Sequence, residues 1–357
     1  MDETVIYLDD WNTVFRKIPK IINDRTYAIM NSSNNCVDLN NYTLLKSRLT
    51  SLMKDIGNFE YISHATGDQA IMSAITLSKK HLNIKHIYIT REAYHGITLK
   101  SFRDKNLKFD DISIHELEMD CLESEINSCH SNSLMIIEPF LFFAKYGDEG
   151  TERIKRVVSN VKKKEMLLLL DEIRSGVFCT GSFIFSQRCL PINADFICFS
   201  KGLALGVPTS ILSIKAGIFS QDIIKKEDKL KSCMSISEIA MQRANDLIEY
   251  YTNNSAFFTK AISSVTKRIT EYFSPLVNTS IVKKVNISGL CCVFVFEENV
   301  KKAKLRLLWL YLLSKNIEAR HTEDNLWFLN FALDSTDEEF CAVRDAIVEA
   351  IKLIEDN

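Results

Sequence analysis

Two apolar runs that each stop abruptly at a charge do most to limit what this chain can fold into. Residues 166–170, Met-Leu-Leu-Leu-Leu, end at Asp171-Glu172, and the run 194–199 leads through Ser200 to Lys201-Gly202. Runs of this length and apolarity read as strands buried on both faces, the habit of a parallel sheet covered by helices. Their carboxyl ends then lie on one edge of the sheet, and in open α/β sheets the crevice at that edge is where ligands bind.

Singly, each charge reads as an ordinary strand end. Together they supply the two groups that a pyridoxal phosphate (PLP) site requires. A lysine amine can form a Schiff base with an aldehyde, and a carboxylate can keep a pyridine nitrogen protonated so that the ring serves as an electron sink.

Length and composition set the frame. With 357 residues, 46% hydrophobic and 25% charged, the chain can bury a large core and is expected to divide into two domains. The formal net charge is −2 with both signs interspersed, so there is no electrostatic footprint for nucleic acid or an anionic membrane. Lys162-Lys163-Lys164 reads as a solvated helix end. The ten cysteines are scattered and form no Cys-x-x-Cys pair, which points to small core residues in a reducing, cytoplasmic setting. The start, Met1-Asp2-Glu3-Thr4, has no basic, signal-like character, and no apolar run reaches the length of a membrane span. Seven dispersed histidines suggest no metal site, and no Gly-x-Gly-x-x-Gly follows a predicted strand.

Strands and helices alternate from about residue 45 to 250, the pattern of a doubly wound α/β domain. Helices are expected at 46–54, 68–80, 151–164 and 237–251, and strands at 84–90, 134–137, 166–170, 194–199 and 211–214. Beyond residue 252 the order changes: helix 257–272, strand 291–296, helix 300–315, strand 325–331 and helix 336–354 read as a smaller α+β domain. The expected organisation is therefore an arm at 1–44, poorly periodic around Asn31-Ser32-Ser33-Asn34-Asn35, a large α/β domain at 45–251, and a small carboxyl-terminal domain at 252–357. The arm would cover the site or reach a partner.

Several segments resemble class III aminotransferases, the fold-type I PLP enzymes. Leu170-Asp171-Glu172-Ile173-Arg174-Ser175-Gly176, Thr180-Gly181-Ser182-Phe183, Phe199-Ser200-Lys201-Gly202 and Gly206-Val207-Pro208 are similar to that family's core signature in order and spacing. Thr66-Gly67-Asp68-Gln69-Ala70-Ile71-Met72-Ser73-Ala74-Ile75 resembles the phosphate-cup segment, most nearly that of glutamate-1-semialdehyde aminomutase. Ala93-Tyr94-His95-Gly96 resembles the loop whose aromatic ring stacks on the cofactor, and Ile136-Ile137-Glu138-Pro139 the strand end beneath it. The likeness covers residues 45–250 well and the rest weakly.

The resemblance implies a large, mostly parallel doubly wound sheet with a smaller α+β domain, PLP as cofactor, and a homodimer with shared sites. Lys201 would anchor the cofactor and move the proton between the substrate α-carbon and the cofactor. Asp171 would pair with the ring nitrogen and Ile173 pack beneath the ring. Tyr94 would stack above it, worth about 0.5–1.5 kcal/mol beyond area burial, with His95 lining the cleft. Glu138 would sit behind Asp171. Thr66, Gly67 and Asp68 would open the helix that receives the phosphate, and Ser232 would lend a hydroxyl to the partner's phosphate.

Three departures bear on specificity. A hydroxyl residue usually stands where Asp68 does, and a carboxylate beside a phosphate is repelled, so Asp68 is expected to turn away or cap the helix that it opens. The Gln-Gly-Glu run and carboxyl-terminal arginine of many members are replaced by Phe140-Leu141-Phe142-Phe143 and by Leu326-Trp327-Phe328-Leu329-Asn330-Phe331. That suggests an apolar substrate pocket, with Arg320 and His321 as candidates for carboxylate recognition. The amino-terminal region also reads as shorter than is usual in the family. The expected activity is an aminotransferase moving an amino group from a small amine or amino acid to a keto or aldehyde acceptor. An aminomutase and a non-catalytic scaffold subunit are the alternatives.

Overall fold

The computed structural model describes residues 6–7, 19–30, 39–105, 111–235, 237–321 and 325–355. Its strands are β1 (Ile6–Tyr7), β2 (Phe59–His64), β3 (His86–Thr90), β4 (Ser113–Leu117), β5 (Ser133–Ile137), β6 (Leu167–Asp171), β7 (Phe196–Phe199), β8 (Ser210–Lys215), β9 (Val282–Ser288), β10 (Cys291–Phe296), β11 (Ile317–Glu318), β12 (Arg320–His321) and β13 (Leu326–Asn330). Seven of them form one sheet in the order β2-β8-β7-β6-β5-β3-β4. Within it β8 runs antiparallel to both neighbours, and the other contacts are parallel.

Alternation along each strand builds the two layers above and below. Leu169, Ile136, Phe196 and Leu212 join the face covered by the helix Gly67–Leu82, with Ala70, Ile71, Ala74 and Ile75 as its buried stripe. Leu168, Leu170, Ile137 and Ile197 point the other way, into the larger core shared with the helices Leu39–Met53 and Asp148–Lys163. The second of these helices has Asp148 and Glu149 in its first turn and Lys162 and Lys163 in its last, which suits the helix dipole. Lys162 is not simply solvated: its amine pairs with the nearly buried Asp195.

The strands expected from apolar runs are present with ends shifted by a residue or two. Three strands with polar interruptions, β2, β4 and β9, carry no comparable run and are absent from the sequence expectation, as are the two-residue strands β1, β11 and β12. Residues 140–143 lie on a helix, Pro139–Tyr146, and are buried. Phe140 packs edge-on to Phe185 and tilted against Phe328. These aromatics are therefore core, which corrects the apolar-pocket expectation: proline at the first helical position starts a helix there instead of prolonging the strand.

Carboxyl-terminal residues form a four-stranded antiparallel sheet, β12-β13-β10-β9, with the helices Ser255–Phe273, Lys302–Ser314 and Asp337–Glu355. Near the amino end, helix Lys20–Met30 lies on helix Glu238–Asn253, where Arg25 meets the buried Asp246 at 2.6 Å. β1 pairs in parallel with β11 of the small domain. This part of the arm thus packs on its own chain, while Asn31–Asn35 lies outside the described residues.

Candidate active site

Asp171 and Lys201 come together because their strands are neighbours. Register pairs Asp171 with Cys198, the Glu172 N–H donates to the Cys198 carbonyl at 2.8 Å, and Lys201 stands three residues further on. Lys201 opens a short 3-10 turn, Lys201–Ala204, with φ +42°, a left-handed conformation that a lysine seldom adopts. The turn is tied on both sides: Ser200 Oγ donates to the Thr209 carbonyl at 2.6 Å and Ser210 Oγ to the Phe199 carbonyl at 3.0 Å. Strained backbone persists only where its surroundings hold it, and such residues gather at functional sites.

Asp171 is buried and held from two directions. Its Oδ2 accepts from His95 Nδ1 at 2.7 Å, with both side chains 3% exposed or less, and its Oδ1 accepts from the Ile173 N–H at 3.1 Å. Each carboxylate oxygen has two lone pairs, so a protonated ring nitrogen can still be accommodated. His95 Nε2 is buried without a hydrogen-bond partner among the described residues. Tyr94, next to it, is 49% exposed, a ring that a flat ligand could cover.

Helix Gly67–Leu82 begins beside them. Thr66 Oγ1 accepts from the Gln69 N–H at 3.2 Å and so caps the helix, while Gln69 Oε1 accepts from the N–H of Ala65, one residue ahead of the cap, at 3.1 Å. Gly67 lies so near Ile173 that a Cβ there would sit 2.5 Å from Ile173 Cδ1. This fixes the helix Gly67–Leu82 against Ile173. The Asp68 carboxylate is turned onto Thr98, accepting from its N–H at 3.0 Å and its hydroxyl at 2.6 Å. Asp68 therefore caps a helix, though the next one, Ile97–Asp104, and not its own.

Glu138 stands beside Asp171, since Ile137 pairs with Leu170. Its contact differs from the expected support of Asp171: Glu138 Oε1 takes the Arg174 guanidinium in a buried ion pair, and that guanidinium lies 4.3 Å over the Phe328 ring. Sequence reasoning passed over Arg174 although it belongs to the Asp171–Gly176 motif. It also passed over Thr98, whose hydroxyl two residues after Gly96 was the available signal. Glu172 is fully buried and accepts from the Ser175 and Ser186 hydroxyls and from the N–H groups of Phe185 and Ser186 at 3.0 and 2.7 Å. Burial pushes its carboxyl pKa up, against those hydrogen bonds. Ser232 falls in helix Gln221–Ser235, but its side chain, like those of Arg320 and His321 on β12, lies outside the described residues.

The family model described as Aminotransferase class-III matches residues 149–351, more than half of the chain. The chain belongs to the class III aminotransferase family. That match takes in the carboxyl-terminal third, where the motif resemblance was weak, and leaves the segments around Thr66 and Tyr94 outside it. Among curated proteins, this class III member is 26% identical over 228 residues to the adenosylmethionine-8-amino-7-oxononanoate aminotransferase of Helicobacter pylori, a stretch covering 60% of this chain and 50% of that protein. It is 27% identical over 169 residues to a diaminobutyrate–2-oxoglutarate transaminase of Halalkalibacterium halodurans, covering 41% and 39%. The chain thus spans about half or less of the length of these relatives. Among solved structures, the ornithine δ-aminotransferase of Plasmodium falciparum superposes with TM-score 0.72 at 17% identity, covering 99% of this chain and 89% of that one. An S-selective transaminase from Arthrobacter sp. does so with TM-score 0.77 at 14% identity, covering 99% and 90%. The fold is that of the fold-type I transaminases.

Among the described residues, no group of three or more His, Cys, Asp or Glu side chains could hold a metal ion, and no helix is long and apolar enough to cross a membrane.

Proposed function

We propose that this chain is a PLP-dependent aminotransferase that moves an amino group from a small amine or amino acid to a keto or aldehyde acceptor. The observation that carries this reading is the placement of Asp171 and Lys201 at the carboxyl ends of adjacent parallel strands, the first fixed by His95 and the second on strained backbone. When bound, PLP supplies an electron sink next to the carbon that bears the amino group.

The chain's own residues do the rest. Lys201 Nζ would hold the cofactor and, once the incoming amine has displaced it, would be free to take the proton from the substrate α-carbon and return it. Asp171 would keep the proton on the ring nitrogen, because a nearby opposite charge favours the protonated, positively charged form. His95 denies Asp171 other orientations. Tyr94 would cover one face of the ring and exclude water, Ile173 would pack on the other, and Thr66 with the amides of Gly67 and Asp68 would receive the phosphate. A homodimer, with Ser232 reaching the partner's phosphate, and a cytoplasmic setting belong to the same reading. The buried free cysteines, Cys129, Cys179, Cys189, Cys198, Cys291 and Cys292, support a reducing compartment.

The test is borohydride reduction of the purified protein after incubation with PLP, followed by peptide mass mapping. Cofactor mass is expected on the peptide holding Lys201 and none on that peptide in Lys201→Ala. Equal labelling of other lysines in both proteins would overturn the assignment.

A further inference from the structure

Asp68 occupies the second position of its helix, where a carboxylate is ordinarily drawn to its own helix's first amides. Here both oxygens go elsewhere. Oδ1 accepts from the Thr98 N–H at 3.0 Å and Oδ2 from the Thr98 hydroxyl at 2.6 Å. Thr98 is the second residue of helix Ile97–Asp104, a position whose N–H has no acceptor within its own helix. Gly96, at the cap position, has no side chain to offer, so Asp68 caps that helix from outside.

The fit depends on Gly96. Its φ of +99° and ψ of 161° lie in a region open essentially to glycine alone, and a Cβ there would stand 2.1 Å from Asp68 Oδ1. The residues immediately before it are Tyr94 and His95. At the other end of the loop the Ala93 N–H donates to the Thr90 carbonyl at 3.1 Å and the Arg91 N–H to the Leu117 carbonyl at 3.0 Å. Between these anchors the His95 ring is 1% exposed and donates to Asp171.

We propose that Asp68 is a positioning residue: by clamping Thr98 across Gly96 it sets the Tyr94–His95 loop, and through the His95 imidazole it fixes the orientation of Asp171. The proposal deepens the reading of the site given above and rests on it for its purpose, while its geometry is independent of any cofactor. A side chain expected to repel phosphate is thereby taken up in assembling the opposite wall of the site.

The experiment uses the full chain without added PLP, so that its outcome and that of the labelling test are independent. Hydrogen exchange is followed over residues 91–100, and the imidazole N–H proton resonance of His95, identified by its absence in His95→Gln, is recorded. Asp68→Ala is expected to lose protection in 94–100 and to lose or broaden the His95 N–H signal. Asp68→Asn should keep both, since its amide oxygen can accept from the Thr98 N–H and its NH2 can donate to the Thr98 hydroxyl. Thr98→Val, which removes one of the two donors at constant shape, should give a partial loss. If Asp68→Ala only lowers the melting temperature and leaves the His95 resonance unchanged, the proposal fails. It also fails if Asp68→Asn behaves like Asp68→Ala.

Discussion

The two loops that flank Asp171 are held in opposite ways. Residues 172–186 wrap a carboxylate, Glu172, that is fully buried and takes four donors. The same loop is tied to the small domain through the Leu290 N–H to the Cys179 carbonyl at 2.9 Å and Ser288 Oγ to the Thr180 carbonyl at 3.0 Å. Residues 91–98 are held at their far end by Asp68 near the surface, and leave Tyr94 and Ile97 exposed at 49% and 62%. One loop is a dry, over-determined support behind the strand end. The other is an open flank on which a ligand could settle. Both use a carboxylate to collect backbone and hydroxyl donors, so what differs is solvent access rather than chemistry.

Glu172→Ala should break the first loop most severely. It strands two buried hydroxyls and two buried N–H groups, each costing about 1–3 kcal/mol when unpaired. A loss on the order of 4–5 kcal/mol is expected as a lowered urea midpoint. Retention of wild-type stability would mean that Glu172 does not organise this loop. Next in size is Glu138→Ala, which leaves the Arg174 guanidinium, 10% exposed in its side chain, without its carboxylate. Removing one partner of a buried pair costs about 3–5 kcal/mol, and the low end is expected because Arg174 keeps its place on Phe328. Glu138→Ala with Arg174→Met should recover much of that loss, and failure to recover would argue against the pair.

Gly96→Ala tests the second loop. Forcing a side chain onto that backbone costs about 1–3 kcal/mol and displaces the Asp68 carboxylate. Faster hydrogen exchange is expected in 93–100 with 172–186 unchanged, the reverse of Glu172→Ala. Coincident effects in both loops would erase the distinction drawn between them.

The smallest effect is one of pH, at the far edge of the same sheet. His86 Nδ1 lies 3.0 Å from His115 Nε2, His130 stacks on His86 at 3.8 Å, and Tyr88 OH meets His130 Nδ1 at 2.7 Å. Burial, then the neighbouring imidazoles and, for His86, Lys85, push the His86 and His115 pKa values below the usual 6.5. Below that value the unfolded chain takes up protons that the folded chain refuses, so stability is complete above about pH 6.5 and declines as the pH falls towards the folded pKa values. A melting temperature that drops slightly between about pH 7 and pH 5, and less so in His115→Gln, is the expected result. Equal pH dependence of the two proteins would count against the cluster as its source.

What could be read from the chain alone follows from where the signal is local. β6 and β7 are uninterrupted apolar runs, so their ends, and with them Asp171 and Lys201, were visible. Thr66 was named only through the likeness of its segment to a phosphate cup, although the cap it makes is written within three residues, at Gln69. Asp68 and Arg174 were harder, because their partners, Thr98 and Glu138, stand 30 and 36 residues away. No periodicity encodes that distance. The aromatic run 140–143 misled for a related reason: burial is legible in composition, whereas the thing a side chain is buried against is not.

The order of the sheet also has a meaning in time. Among the described residues β2 has β8 as its only neighbour in the sheet, and β1 has its partner β11 later still. During synthesis, β2 and the helix that follows it must wait with an open edge until residues 210–215 have left the ribosome, and such long-range closure is slow and prone to aggregation. A nascent chain stopped after Lys201 would carry Thr66, Tyr94, His95, Asp171 and Lys201 and still lack the strand on which the first element of the large sheet docks.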